Sequence, residues 1–496
     1  MIVRLALFRW PFKSHYHASK SIFLKTQQNL GKKELFKGLW IDQSDWDWQT
    51  YPVIHLDMTA AASAGYDVHQ VRHALENELL KVAKSYGVED TQDAQVPVFF
   101  GNLLQALSEK TGQQVVVIID EYDKPLLDVL GNSDSYLAIH ELLSAMYGQL
   151  KRSSPYLRFV LLTGVFKFAK TSVFSGLNNL KDLTFDPKAA ELLGYTEQEI
   201  KDNFPEQLDG LCRKLSKTRV ELIEVLKEQY NGYSFGVDTD TGEIIGSVYN
   251  PFALNYVFVE QQLLERWFAS GTPTLLIKKL KEQSFGGIDP SALTVQFRML
   301  EDSCGPSDIT ALSLLYYAGY LTLRAYNFRQ KKITLDFPNA EVAQAFSSSL
   351  LSAISSKDET LFGAITSKIN DLLYSENLEE LKGVLNQALA QMPYFMFGTR
   401  ESYYQTVIYL FFNASSVVTI AEDMMNRGRA DITVLLPQAI YIFELKMNQS
   451  SSVALQQIKD RGYAEKYRHL GRRMYAVGIM LSSKKRVVQE ILLEVI

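Results

Sequence analysis

The chain has 496 residues, 47% of them hydrophobic, and a formal net charge of -5. That length allows two or three domains with ordinary cores and excludes a disordered protein, and the charge excludes a global basic field, so any nucleic-acid contact must rest on local patches. Cys212 and Cys304 stand far apart without CxxC spacing, which argues against a disulfide framework or a zinc site and points to a reducing compartment.

In chain order, residues 1–30 are strongly basic, with a short strand candidate from Ile2 to Phe8. His15 and His17 read as part of a solvated arm, because no further His, Cys or acidic ligand lies nearby to complete a metal clip. The apolar run of MIVRLALFRWPF is broken by Arg4 and Arg9 and no small-residue cleavage pattern follows, so no signal peptide is expected. No run of about 18 apolar residues occurs. The expectation is a cytoplasmic protein without membrane spans.

From Gly31 the pattern is regular. YPVIHLDM reads as a strand, followed by helices over about Val68 to Tyr86 and Val98 to Thr111. Val115 to Ile119 are five consecutive β-branched residues leading into Asp120, Glu121 and Asp123, the pattern of a buried parallel strand at its carboxyl end, where open α/β sheets bind ligands. A helix from about Tyr136 to Lys151 leads to the strand RFVLLTGV, which carries Thr163. This alternation predicts a doubly wound sheet. The acidic cluster has two readings: Asp120 holding Mg²⁺ on bound phosphates with Glu121 polarising water, or solvated strand-end carboxylates. No GxxxxGK[ST] motif occurs. Its nearest counterpart, RWPFKS, offers Lys13 and Ser14 but lacks the glycine that lets backbone amides wrap phosphate.

Helices follow from about Thr196 to Tyr230, and another enters through Thr272-Pro273. ITALSLLYYAG reads as a helix closing at Gly319, and YLTLRAYNFRQKKITLDFP as a hairpin with Arg329, Lys331 and Lys332 at its tip. A helix followed by a basic-tipped hairpin resembles a winged-helix element, although a charged tip is more often only a solvated turn. Residues 340–392 read as two or three amphipathic helices forming a spacer.

The last hundred residues open with a helix at Glu401, then the strand SVVTIAEDM, the hairpin GRADITVLLPQAIYIFELKM, the helix VALQQIKDRGYAEKY and the strand RMYAVGIMLS. Glu444 and Lys446 share one face of their strand. Asp431 joins that face if a two-residue loop falls at Pro437-Gln438 or at Gln438-Ala439, and both are allowed. Two carboxylates beside one ammonium suit a hard divalent cation, Mg²⁺ or Mn²⁺, with Lys446 orienting or deprotonating an attacking water. The alternative is a structural ion pair. Glu401 lies one helical turn from Gln405, and Gln456 precedes Lys459 and Tyr463 along another face; both faces are candidates to turn toward the acidic end of the hairpin.

These motifs, with GKKELFKGLWI, IDEYDKPL, YNGYSF, VYNPFAL and ESYYQTVIYLFF, resemble bacterial proteins that join an AAA-ATPase-like domain to a C-terminal PD-(D/E)XK nuclease-like domain. The resemblance covers nearly everything after Gly31. It implies that Asp120 and Glu121 correspond to the Walker B acidic pair and that Thr163 is similar to a sensor position. It likewise implies that Asp431, Glu444 and Lys446 correspond to the catalytic Asp and Glu-x-Lys, Glu401 to the acidic residue of the first helix, and Gln456 to a glutamine after the core strands. The implied fold is α/β: a P-loop-NTPase-like doubly wound parallel sheet, a helical and winged-helix-like middle, and a restriction-endonuclease-like C-terminal domain. The expected limits are an atypical N-terminus at 1–30, the ATPase-like domain at 31–287, the middle at 288–395 and the nuclease-like domain at 396–496.

The departure lies before Gly31, where the family's lead-in and Gly-Lys-Ser loop are replaced. The expectation is a truncated or frame-altered start, an ATPase-like domain lacking part of its first strand and phosphate loop, and weak or absent ATP binding. The expected function is a metal-dependent DNA nuclease. The alternatives are a catalytically silent nucleic-acid-binding or regulatory protein and a nucleotide switch that docks on DNA.

Overall fold

Val115–Ile119 is buried at every position, as a parallel strand covered on both faces must be. It belongs to a five-stranded sheet made of β1 (Ile2–Leu5), β2 (Val53–Asp57), β3 (Val115–Asp120), β4 (Leu157–Thr163) and β5 (Leu180–Asp182), in the order β2-β3-β4-β1-β5. Every pairing in it is parallel. The computed structural model describes residues 2–5, 37, 40–45, 48–63, 67–89, 95–130, 132–166, 173, 174, 177, 180–263, 293–301, 310–355, 359–392, 401–425 and 427–496. Lys13, Ser14 and the helix expected after Thr272 lie outside them.

The strand candidate that begins at Ile2 is present as Ile2–Leu5. β1 fills the position between β4 and β5, with Leu5 in register with Thr163 and Arg4 with Asp182. A gap there would leave two strand edges with unpaired backbone groups inside the sheet, which the short Ile-Val-Arg-Leu run prevents.

Contacts divide the chain into two compact units, residues 1–196 with 234–252 and 295–333, and residues 197–233 with 253–294 and 334–496. In the first, the helices Val68–Ser85, Val96–Thr111 and Ser133–Arg152 pack on one another through stripes that include Leu75, Leu79, Phe100, Leu104, Leu143 and Leu150. β6 (Gly236–Val237) and β7 (Ile244–Ile245) form a small ribbon. β8 (Thr294–Gln296), β9 (Thr322–Asn327) and β10 (Lys332–Asp336) form a sheet in the order β8-β10-β9, and Arg329, Lys331 and Lys332 are exposed at the β9–β10 tip. The preceding helix, Ala311–Tyr317, stops before Gly319, which takes a left-handed φ of 81°.

The second unit holds a mixed sheet of β11 (Val418–Met425), β12 (Gly428–Leu435), β13 (Ala439–Met447), β14 (Arg473–Ser482) and β15 (Val487–Val495), paired in that order. Only β13 and β14 run parallel. The helices Ala340–Ser355, Glu359–Tyr374 and Leu381–Ala390, expected as a spacer, pack into this unit instead. The first lies along the helix Glu401–Ala414, and Tyr441 Oη donates to the Leu373 carbonyl at 2.9 Å. Asn386 bonds Val488 both ways, at 3.0 and 2.7 Å. The helix expected over 453–467 ends at Asp460, because Gly462 adopts φ 61° and a 3-10 segment, Tyr463–Leu470, follows.

Candidate active site

The turn decides the register of the central hairpin. The Leu436 N–H donates to the Ala439 carbonyl at 2.9 Å, so Pro437 and Gln438 are the loop, and β12 pairs with β13 from Leu435–Ile440 to Ile432–Phe443. One step further the same register brings Asp431 opposite Glu444. The ladder has stopped there, and the Leu445 N–H donates to Asp431 Oδ2 at 2.7 Å. A carboxylate thus replaces a backbone acceptor where the strands part, which satisfies the donor and fixes the side chain together.

Glu444 ends the row Ile440, Ile442 that packs under the helix Ser451–Asp460. Its side chain is only 2% exposed. Lys446 Nζ donates to Glu444 Oε1 at 2.9 Å, and the Gln457 amide donates to the same oxygen. Gln457 reaches it because Gly478 faces Glu444 across β13 and β14: a Cβ on Gly478 would stand 2.2 Å from the Ser451 carbonyl. Glu401 joins from the start of its helix, accepting the Met447 N–H at 2.5 Å, and Gln405 one turn on donates to the Asp431 carbonyl at 3.0 Å.

Gln456 requires a correction. It is exposed and donates to Asp460 at 2.7 Å, so the helix glutamine at the carboxylates is Gln457. The buried stripe of Ser451, Ala454, Leu455 and Ile458 explains this. Successive helical positions turn by about 100°, which puts Gln457 on the margin of the stripe and Gln456 nearly opposite it. Lys459 also turns away, pairing with Glu494 at 2.6 Å.

Burial and the neighbouring Glu444 charge push the Asp431 carboxyl well above the usual range, and burial pushes Glu444 up despite Lys446. Burial pulls Lys446 down, but the hydrogen bond and charge of Glu444, with Asp431 and Glu401, outweigh it and hold the ammonium above its ordinary value. Glu444 Oε2 is buried with no hydrogen-bond partner among the described residues. Two carboxylates raised mainly by burial, one with an oxygen left over among the described residues, are the donor set a divalent cation fits. Among the described residues no three His, Cys, Asp or Glu side chains converge as a ligand group, so an ion here would take two carboxylates and complete its shell with the Leu445 carbonyl and water, the manner of Mg²⁺.

At the carboxyl edge of the first sheet, Thr163 Oγ1 donates to Asp120 Oδ1. Glu121 is buried with a left-handed φ of 54°. Leu5 ends β1 beside Thr163, and the RWPFKS stretch follows it in sequence. Asp123, fully buried, accepts the N–H groups of Val165, at 3.1 Å, and of Phe166, while Tyr122 Oη donates to the Phe166 carbonyl at 2.6 Å. Burial pushes Asp123 up to about 7, with the two N–H donors pulling the other way. Gly164 is required at this crossing, since a Cβ would lie 2.4 Å from Asp123 Oδ1.

A family model described as Predicted AAA-ATPase matches residues 18–174, and the PD-(D/E)XK nuclease superfamily model matches residues 399–491. The chain is 32% identical over 498 residues to "Uncharacterized protein in vnfD 5'region" of Azotobacter chroococcum mcd 1, covering 96% of this chain and 91% of that protein. The chain belongs to the family of AAA-ATPase-like proteins with a C-terminal PD-(D/E)XK nuclease domain. In this AAA-ATPase-like nuclease-family protein, Glu401, Asp431, Glu444, Lys446 and Gln457 all fall within the nuclease-superfamily match. Asp120, Glu121 and Thr163 fall within the ATPase match. No helix among the described residues is long and apolar enough to cross a membrane.

Proposed function

We propose that the C-terminal domain is a Mg²⁺-dependent DNA phosphodiesterase. The observation that carries the reading is the buried Glu444 oxygen, without a hydrogen-bond partner among the described residues, beside Asp431 and Lys446 at the point where β12 and β13 part. Asp431 and Glu444 would hold Mg²⁺ or Mn²⁺, which when bound supplies charge neutralisation at the phosphate. Lys446, kept as an ammonium, orients the attacking water rather than taking its proton. Gln457 positions Glu444, and the Glu401 helix fixes the end of β13 through Met447. We read 396–496 as a restriction-endonuclease-like core on which the helices of 340–390 pack, the part of the middle before them as winged-helix-like, and the region 31–287 together with Ile2–Leu5 as a P-loop-NTPase-like sheet. The setting we infer is cytoplasmic.

The test is plasmid nicking. Wild-type protein should nick supercoiled DNA with Mg²⁺ or Mn²⁺, and Glu444→Ala and Lys446→Ala should each lower the rate by about 100-fold or more while melting stays near wild type. Plasmid that stays bound but intact with either ion would replace this reading with the silent binding protein. For the first unit we propose an ATP-binding module with Asp120, Glu121 and Thr163 at its phosphate edge and affinity weakened by the missing glycine of RWPFKS.

A further inference from the structure

We propose that the turn between β14 and β15, carrying Lys484, Lys485 and Arg486, grips the phosphate backbone of the DNA that the carboxylate edge acts on. The proposal rests on the nuclease reading of that edge. Strand direction is the first argument. β13 and β14 run parallel with Met447 opposite Leu481, so the turn leaves the sheet at the end that holds Glu444 and Lys446. β14 neighbours β13, and Ser483 lies beyond Gly478, the residue opposite Glu444, by five positions, so the turn begins about 15–20 Å from the carboxylate row. That distance corresponds to about five phosphates of one strand, which rise by about 3.4 Å each.

The second argument is how the turn is held. Asn448, two residues beyond Lys446, donates its N–H to the Leu481 carbonyl at 2.7 Å and its side-chain amide to Ser483 Oγ at 2.8 Å, and accepts the Ser483 N–H at 3.0 Å. The Arg486 N–H closes the turn on the Ser482 carbonyl at 2.7 Å, with Arg486 at φ 59°. A turn that only carries solvated charge needs no such tie to the strand bearing the site. Lys484 and Lys485 are exposed, and among the described residues neither lies within ion-pair distance of a carboxylate. An edge with Glu401, Asp431 and Glu444 repels a polyanion, and cations beside it are what let one approach.

Binding of a labelled DNA duplex, measured in EDTA over a range of salt, tests this without requiring chemistry. Lys484→Ala/Lys485→Ala should bind roughly tenfold or more weakly near 0.1 M salt, with a log-log salt slope shallower by about 2, since each phosphate contact contributes about 0.9. Arg213→Ala/Lys214→Ala, which removes the same charge from the helix Pro205–Leu215, should match wild type. Lys484→Gln/Lys485→Gln repeats the measurement with less change in bulk. The grip is overturned if either turn variant keeps wild-type affinity and slope, if the Arg213/Lys214 control falls as far, or if the wild type binds no DNA. A wild type that binds through the turn but cuts nothing with Mg²⁺ would sink the nuclease reading and leave the grip standing.

Discussion

At the scale of residues, the chemistry narrows to which side chains touch Glu444. Its two donors, Lys446 and Gln457, share one oxygen, and the other has none among the described residues. Gln457→Ala should therefore weaken cation binding and cleavage about 10–100-fold, the usual cost of losing a group that orients a ligand, whereas Gln456→Ala should stay within about twofold of wild type. Titration of Mg²⁺ against both variants checks this, and equal effects would remove Gln457 from the site. The pair also shows what the sequence could say. The Glu-x-Lys spacing on an apolar strand was readable directly, because period two puts both side chains on one face. Which of two adjacent glutamines faces them depended on the buried stripe of a ten-residue helix, a signal present in Ala454, Leu455 and Ile458 but weaker than a strand's alternation. The anchoring of Asp123 by the Val165 and Phe166 amides left no pattern at all, since it joins residues that meet only in the folded sheet.

At the scale of elements, Gly478 decides how closely the helix Ser451–Asp460 approaches the sheet. Gly478→Ala would put a methyl into the Ser451 carbonyl and the Leu455 side chain. It should cost about 1–3 kcal/mol in chemical melts and, by lifting Gln457 away from Glu444, lower cleavage as well. A variant of wild-type stability would show that the helix can move aside freely. β13 and β14 were legible as strands because their burial is nearly continuous, from Ala439 to Leu445 and from Tyr475 to Val477 and beyond. β15 was not, because an edge strand with the mixed burial of Val487–Val495 carries no clear period. β1 was visible as a short strand candidate, but its place between β4 and β5 is a long-range fact that a four-residue run does not encode.

At the scale of the molecule, the buried Asp123 and Glu444 and the half-buried Asp431 are all pushed upward mainly by burial. For Asp123 the change is from 3.8 to about 7. A raised folded value means that folding takes up a proton: the stabilisation is complete below the unfolded value and is lost as pH rises through about 7. Asp123 alone can account for about 4 kcal/mol across that window. Stability measured by urea melts should fall from pH 5 to pH 7.5, with a gentler slope in Asp123→Asn; stability that rises over this range would contradict the assignment. Mg²⁺ should raise the melting temperature more at pH 8 than at pH 6, because its carboxylates must first give up protons. ATP should bind the intact protein more weakly than micromolar, and calorimetry finding micromolar affinity would show that the phosphate edge works without the glycine.

The position of Ile2–Leu5 has a consequence for how the chain reaches its fold. This strand precedes both of its neighbours in the chain, Val160–Thr163 on one side and Leu180–Asp182 on the other. The apolar edge of β4 therefore pairs with a segment distant in sequence, and β1 in turn stays an open edge until Leu180–Asp182 joins it. Parallel pairing over such separations closes slowly and leaves strand edges exposed in the meantime. Refolding from denaturant should show a slow phase for the first unit that the second unit's hairpin, joined by Pro437-Gln438, does not share.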